Sequence, residues 1–269
     1  MPPTLLLIDA LNLIRRVHGA IPAQVSAAGE DQHIDATLTA TVSSIRRALR
    51  ESDPSHLLIV FDGDPPTWRH RLFPDYKARR QPMPQLLRKR LIEFNNAFRH
   101  MGWMTFRRNG TEADDVIGTI THKAVAAKIS TVILSTDRAY RQLLHSPLVC
   151  QRDHFRKTNY HGESVNTEFG LSPQRLPDYW GIAGVGDIPG VQGVGKKGAA
   201  ELLNRFGSLQ GILAQPDGEA SGALKKVLAH KAQAQLSMQL ATLQHQLELG
   251  LSLKNLRYRS PKSNLPADD

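Results

Sequence analysis

The sequence predicts an α/β fold on a mostly parallel sheet, and three short apolar runs carry that prediction. Residues 4–8 lead into Asp9, residues 57–61 into Asp62, and residues 131–135 into Thr136 and Asp137. Unbroken apolar runs of this length suit strands buried on both faces, as in a parallel sheet covered by helices. Ligands bind such sheets at the carboxyl ends of the strands. An acid after one strand is most often a turn residue or a helix cap. The same pattern after three strands points to one shared site along that edge.

The remaining elements follow in order. Leu11, Leu13, Ile14 and Val17 repeat at helical spacing after the first strand, and their helix carries Arg15 and Arg16. Residues 23–31 read as a flexible loop. After the second strand, residues 66–108 hold eleven Lys or Arg against two acids, Asp75 and Glu93, an excess equal to the +9 of the entire chain. Trp68, Phe73 and Tyr76 are interleaved with these cations, a combination suited to phosphate contact and base stacking. Arg88, Lys89 and Arg90 read equally well as the solvated side of a helix, whereas residues 76–80 read as a contact segment.

Residues 110–117 form the acidic centre of the chain, with Glu112, Asp114 and Asp115 at the mouth of an apolar helix pattern. Thr111 as an N-cap with Asp114 closing a capping box, together with the helix dipole, accounts for one or two of these acids. Three anions this close are costly without a counter-cation, so the stretch favours a bound ion. Carboxylates without His or Cys select hard cations such as Mg²⁺ or Mn²⁺.

Residues 148–150 predict a further strand, and residues 173–180 a helix with Pro at its start. A glycine-rich passage, residues 181–197, then enters a helix marked by Ala199, Leu202, Leu203 and Phe206. Residues 190–196 match the first seven positions of a P-loop, but Lys197 stands where Ser or Thr is needed and no buried strand leads in, which excludes nucleotide binding on this motif. Gly193-Val194-Gly195 before a helix can instead offer backbone amides to a DNA phosphate, with Lys196 and Lys197 adding charge. A plain glycine-rich turn between packed helices accounts for it as well. Residues 208–253 read as supporting helices with a break at 215–218, and the tail after Arg257 is polar.

With 269 residues the chain holds one large domain or two modest ones, and its pI near 9.8 fits a polyanionic partner. The single cysteine, Cys150, excludes an internal disulfide framework, and no Cys/His spacing resembles a zinc site. The amino terminus has no basic and apolar signal pattern, and no run reaches membrane-spanning length, so the expectation is a cytoplasmic protein with no membrane partner.

Taken in order, these motifs resemble the 5′-nuclease (flap endonuclease) superfamily, which includes the amino-terminal domain of bacterial DNA polymerase I. The matching pieces are Ile8-Asp9-Ala10 with Arg16 seven residues past the aspartate, Phe61-Asp62-Gly63, Trp68-Arg69-His70 and Tyr76-Lys77-Ala78-Arg79-Arg80. Glu112-Ala113-Asp114-Asp115, Ser135-Thr136-Asp137 and Ile188-Pro189-Gly190-Val191 through Gly195-Lys196 complete the set. Each is weak alone; in this order, over most of the chain, they are specific. The small size and the Leu-Pro-Asp-Tyr-Trp-Gly run at 176–181 are most similar to the standalone bacterial Xni branch, also called exonuclease nine.

The resemblance implies a PIN-like nuclease domain over residues 1–165 with helices on both faces of its sheet and a basic helical arch at about 66–108. It also implies a helix-hairpin-type DNA-binding region over 166–257, followed by a polar tail at 258–269. The implied activity is Mg²⁺-dependent cleavage of DNA at 5′ flaps, single-strand/double-strand junctions or 5′ ends, by water attack on a phosphodiester. Asp9, Asp62, Glu112, Asp114, Asp115 and Asp137 look like a first metal site and its shell, with Asp114 foremost. Lys77 and Arg80 look like arch cations that meet the scissile phosphate, Arg16 and Arg69 like further phosphate contacts, and Tyr76 like a base-stacking residue. The hairpin resembles one that holds K⁺ through the main-chain carbonyls of Ile182, Ala183, Pro189, Val191 and Val194. Gly193, Val194, Gly195, Lys196, Lys197 and Gly198 would touch the DNA backbone. Nothing calls for a dimer, and a monomer is expected.

Two departures qualify the resemblance. Many relatives have Asp-Lys-Asp where this chain has Asp137-Arg138-Ala139. The passage Gly184-Val185-Gly186-Asp187 is two residues shorter than in those relatives and lacks both expected acids. Three ligands of a second metal site are therefore missing, which predicts cleavage weaker than in complete relatives. The rival reading is a DNA-structure-binding protein with vestigial chemistry. A PIN-type ribonuclease would have the carboxylates but leaves the Gly-Val-Gly-Lys hairpin unexplained.

Overall fold

A computed structural model describes residues 3–22, 29–216 and 222–259. The expected loop at 23–31, the break at 215–218 and the tail after Arg257 thus fall largely outside the described residues. The chain runs β1 (Thr4–Asp9), α1 (Ala10–Ala20), α2 (Glu30–Ser52), β2 (His56–Val60), α3 (Trp68–Leu72), α4 (Gln85–His100), β3 (Thr105–Phe106) and α5 (Ala113–Ala126). It continues through β4 (Ser130–Leu134), a 3₁₀ turn (Arg138–Leu143), β5 (Val149–Asp153), β6 (Thr158–Tyr160), α6 (Gly162–Phe169) and a 3₁₀ turn (Pro173–Arg175) into α7 (Leu176–Ala183). The helices α8 (Lys196–Phe206), α9 (Leu209–Leu213), α10 (Gly222–Ala229) and α11 (Lys231–Ala241) follow.

The six strands lie in the order β3-β2-β1-β4-β5-β6, parallel except for β6, which runs antiparallel to β5. From β1 the chain builds outward through β2 and β3, then returns to place β4 on the other side of β1. That reversal opens a crevice at the carboxyl ends of β1 and β4, where α/β sheets bind ligands. The three predicted strands with acids at their ends are β1, β2 and β4.

Although the central strands are apolar throughout, their side chains still alternate between two cores. Leu5, Leu7, Leu58 and Val60 pack with α5 and with the C-terminal helices, while Leu6, Ile8, Leu57 and Ile59 pack with α1, α2 and α4. Trp180, Leu203, Val227 and Ala234 belong to the same core as α5, so the helical region shares its interior with one face of the sheet.

The basic stretch at 66–108 divides into two structural roles. Leu87, Phe94 and Phe98 of α4 are buried on the sheet, and β3 joins the sheet edge, so residues 85–106 cover the core. The off-sheet segment is 66–84. Arg90 pairs with Glu93, Asp31 and Asp35, linking α4 to α2. The expected helical pattern through 253 stops at Ala241; residues 242–252 instead run as an irregular strap over α5, where Thr119 Oγ1 donates to Gln244 O at 3.3 Å. No helix among the described residues is long and apolar enough to cross a membrane.

Candidate active site

The carboxylates predicted from the sequence separate into two sets, one without an ion pair among the described residues and one neutralised. The unpaired set lies along the carboxyl edge of the sheet: Asp9 ends β1, Asp62 follows β2, Asp137 follows β4, and Asp114 occupies the first turn of α5. Asp9 caps α1, its Oδ1 accepting from Asn12 N at 3.1 Å, while Oδ2 accepts from Ser135 Oγ at 3.0 Å and Tyr140 Oη at 3.2 Å. Asp62 Oδ1 accepts from Ala113 N at 3.0 Å, tying the end of β2 to α5. Asp114 Oδ1 accepts from Tyr140 Oη at 2.6 Å, and Asp137 Oδ1 from Ala139 N at 2.8 Å.

These acids repel one another in a poorly solvated edge. Burial, then Asp62 and Asp137, push the Asp9 carboxyl up to about 7 against the hydrogen bonds from Asn12 and Ser135. Burial, then Asp137, Asp9 and Asp62, hold Asp114 well above the usual carboxylate range, with Lys77 opposing. Burial also raises Asp62, opposed by Lys77, the Ala113 amide and Arg80. Among the described residues no three carboxylates close into a ready-made ion cage. The oxygen-only donor set and its mutual repulsion nevertheless fit a hard divalent cation, which is what would relieve it.

The second set is neutralised from within. Glu112 and Asp115 are 3 % and 1 % exposed, and the Arg69 guanidinium, itself 2 % exposed, lies between them. Arg69 Nη1 meets Glu112 Oε2 at 2.9 Å and Asp115 Oδ2 at 2.8 Å, and Nη2 meets Asp115 Oδ1 at 3.0 Å. Arg69 Nε and Nη2 also donate to the Leu240 and Thr242 carbonyls, binding α3 to the end of α11 and the strap. Asp115 further accepts from Trp68 Nε1 and Gln244 N. The donors of Arg69 and the oxygens of Asp115 are thus engaged within the protein, which sets Arg69 against the expected phosphate contact and Asp115 against the expected metal contact.

Tyr76 is also corrected. Its ring is 7 % exposed, edge-on to His70, with Oη donating to Glu112 Oε2 at 3.2 Å, so it presents no stacking face. Nor does the capping box form: Glu112 is the N-cap of α5 without a side-chain cap, and Thr111 Oγ1 accepts from Arg108. Lys77 Nζ lies 3.4 Å from Glu112 Oε2 on a backbone with φ of 60°. Burial works against its charge, but Glu112, Tyr76, Asp114 and Asp62 outweigh it and raise the ammonium above the usual lysine value. The same Lys77 and Arg69 charges hold Glu112 below the usual range despite its burial. Arg80 is exposed and forms no ion pair among the described residues. It faces Arg15, which burial and this neighbour lower. Arg16 is exposed beside Phe155.

The glycine-rich passage forms a hairpin between α7 and α8. Val185 and Ile188 exchange backbone hydrogen bonds at 3.0 and 2.9 Å, so the passage is a tight turn with Asp187 exposed at its tip. A Cβ on Gly190 would meet Ala183 C and Gly184 N at 2.5 Å, an approach that admits only glycine. Ile182 O accepts from Val191 N at 2.8 Å, Val191 O from Val194 N at 3.1 Å, and Pro189 O from Ser237 Oγ. Gly193, Gly195, Lys196 and Lys197 are exposed and Gly198 partly so, whereas Val194 is buried and can reach a ligand through its backbone alone.

Sequence reasoning quoted Ser135 in a motif without a role of its own and missed Tyr140, Asn12 and Gln151. Gln151, fully buried on β5, donates to Ser135 O at 2.8 Å and Asp137 O at 2.7 Å and so shapes the turn after β4. Nothing in a lone glutamine or tyrosine marks such a role; it emerges only from the pairing of β4 with β5.

Residues 4–170 match the family described as 5′-3′ exonuclease, N-terminal resolvase-like domain, and residues 171–264 its C-terminal SAM fold. The chain belongs to the 5′-3′ exonuclease family and is a nuclease. It is 41 % identical over 261 residues to a protein of Pectobacterium carotovorum subsp. carotovorum (strain PC1) named Flap endonuclease Xni, covering 96 % of this chain and 95 % of that one. A protein of the same name from Vibrio cholerae serotype O1 is 38 % identical over 264 residues, covering 97 % and 98 % of the two chains. The fold is shared with T5 5′-exonuclease, a structure with zinc bound, at a TM-score of 0.74 and 20 % identity over 88 % of this chain and 89 % of that one. The catalytic core of Rad2 with DNA substrate gives 0.54 and 16 % over 87 % and 74 %.

Proposed function

We propose that this nuclease cleaves DNA at 5′ flaps, junctions or 5′ ends with the help of a divalent cation held by Asp9, Asp62, Asp114 and Asp137. The observation that carries the reading is the separation of the acids: Glu112 and Asp115 are neutralised by Arg69, and four carboxylates remain on the sheet edge with no ion pair among the described residues. Mg²⁺ is the natural occupant and Mn²⁺ its substitute. Such an ion supplies Lewis-acid neutralisation of phosphodiester charge. Lys77 reaches over the acids from 66–84 and, with exposed Arg80, is placed to meet the developing negative charge on the phosphoryl oxygens. Glu112 is the anchor that orients Lys77. The names of the full-length relatives support the flap substrate, and Arg16 with residues 193–198 supplies phosphate contacts away from the reacting bond.

The hairpin carbonyls of Ile182, Ala183, Pro189, Val191 and Val194 form the proposed K⁺ site. Carbonyl oxygens have two acceptor positions, so those already bonded to Val191 N, Val194 N or Ser237 retain one for the ion. Replacing K⁺ by Li⁺ at constant ionic strength weakens duplex binding on this reading; unchanged affinity removes the site. A second reading, a DNA-structure-binding protein with vestigial chemistry, is favoured by one observation. Ala139 has no carboxylate and the tight turn leaves only Asp187, exposed, where further acids would be needed. Cleavage of a 5′-labelled flap duplex across Mg²⁺ and Mn²⁺ titrations, with binding followed in parallel, separates the two. Metal-dependent product supports the nuclease reading, and tight binding without product supports the other.

A further inference from the structure

We infer that Tyr140 is a positioning residue for the proposed ion site: its buried hydroxyl spans Asp114 and Asp9 and fixes the separation of the two carboxylates. The inference rests on the reading that these acids hold the ion, and it concerns a residue outside every acidic motif. Tyr140 is 0 % exposed and its ring packs in the core beneath α5. Oη lies 2.6 Å from Asp114 Oδ1 and 3.2 Å from Asp9 Oδ2, one acid from α5 and the other from the end of β1. A phenol has one proton to give, and the short contact assigns it chiefly to Asp114.

The turn that carries Tyr140 is itself fixed. Asp137 caps it, Gln142 Nε2 donates to Ala139 O at 2.9 Å and Ala241 O at 3.1 Å, and Gln151 holds Ser135 O and Asp137 O. The hydroxyl is therefore a rigid support and not a mobile side chain that happens to point inward. A neutral donor also does what Lys77 cannot: its one proton, shared unequally between Asp114 and the more distant Asp9, bridges the two carboxylates without neutralising either. Asp114 Oδ2 has no hydrogen-bond partner among the described residues, so the oxygen facing away from Tyr140 stays available to a cation. Hydrogen-bonded supports of this kind orient metal ligands, and their loss typically weakens metal affinity about 10- to 100-fold.

The test is Mn²⁺ binding to the metal-free protein without DNA, read from the loss of the free-ion paramagnetic resonance signal. Tyr140→Phe keeps the packed ring and loses only the hydroxyl; circular dichroism verifies its fold, and duplex binding in EDTA verifies the hairpin. The expected result is Mn²⁺ affinity reduced about 10- to 100-fold with both controls unchanged. Equal or tighter Mn²⁺ binding overturns the inference. Ser135→Ala removes the other donor to Asp9 Oδ2 and also the acceptor of Asp137 N, so it reads the support that bypasses Asp114; its loss should be smaller, and an equal or larger loss overturns Tyr140 as the chief positioning residue. Asp114→Asn run alongside distinguishes the two levels of failure. If Asp114→Asn binds Mn²⁺ like wild type, the ion-site reading fails; if it loses binding while Tyr140→Phe does not, only the role of Tyr140 fails.

Discussion

Arg69 and Lys77 are cations eight residues apart in the same basic segment, yet burial gives them opposite tasks. Arg69 is sealed between Glu112 and Asp115, where removing one partner strands the others. Arg69→Met should therefore cost about 3–5 kcal/mol of stability, read by urea unfolding. Little destabilisation combined with weaker DNA binding would restore the surface role expected from sequence. Asp9 makes the converse prediction. Its folded-state carboxyl is raised from 3.8 to about 7, so the folded state keeps a proton that the unfolded chain has released. The contribution is full below pH 3.8 and is lost as pH rises to about 7. The metal-free protein should lose melting temperature across that window relative to Asp9→Asn, and saturating Mg²⁺ should remove the loss. A parallel pH profile for both proteins contradicts the crowding of Asp9 by Asp62 and Asp137. The types and positions of all these residues were readable from the chain. Which acids were free was not, because a guanidinium's partners depend on how α3, α5 and the strap meet.

At the scale of elements, the strands were legible because a parallel strand leaves a local signature: apolar runs ending in acids. The hairpin was legible from its glycines, and the structure supplies the reason, since a Cβ on Gly190 would stand 2.5 Å from backbone atoms of Ala183 and Gly184. Gly190→Ala should separate those segments, weakening duplex binding at least tenfold while leaving Mn²⁺ binding at the sheet edge intact. Equal duplex affinity in that variant would show that the hairpin does not grip DNA. The arch was less legible. Charge alone does not distinguish a helix that covers the sheet from a segment above the edge; the buried spacing of Leu87, Phe94 and Phe98 is what assigns α4 to the core. The strap at 242–252 was misread as helix: Leu243 and Leu247 continue a helical interval, but Leu247, Leu249 and Leu251 alternate, and backbone groups of the strap are satisfied by α5 and by Gln142.

Across the whole molecule, the sheet edge and the hairpin are joined through one interior, with Trp180 of α7 and Val116 of α5 in the same core. The Arg69 contacts to Leu240 and Thr242 add a polar link between the basic segment and the C-terminal helices. On the proposed reading, gripping the duplex and presenting the acids are thus properties of one packed body. Binding should weaken steeply with salt, since each neutralised phosphate releases counterions. The central claim is that the unpaired acids are the chemical centre and the paired acids its scaffold. Side-by-side cleavage of a 5′-labelled flap duplex by wild type and Asp114→Asn, at saturating Mn²⁺ and with folding verified, tests it most directly. The account predicts metal-dependent product from wild type and none above background from Asp114→Asn, with DNA binding retained by both. Full activity in Asp114→Asn would contradict it.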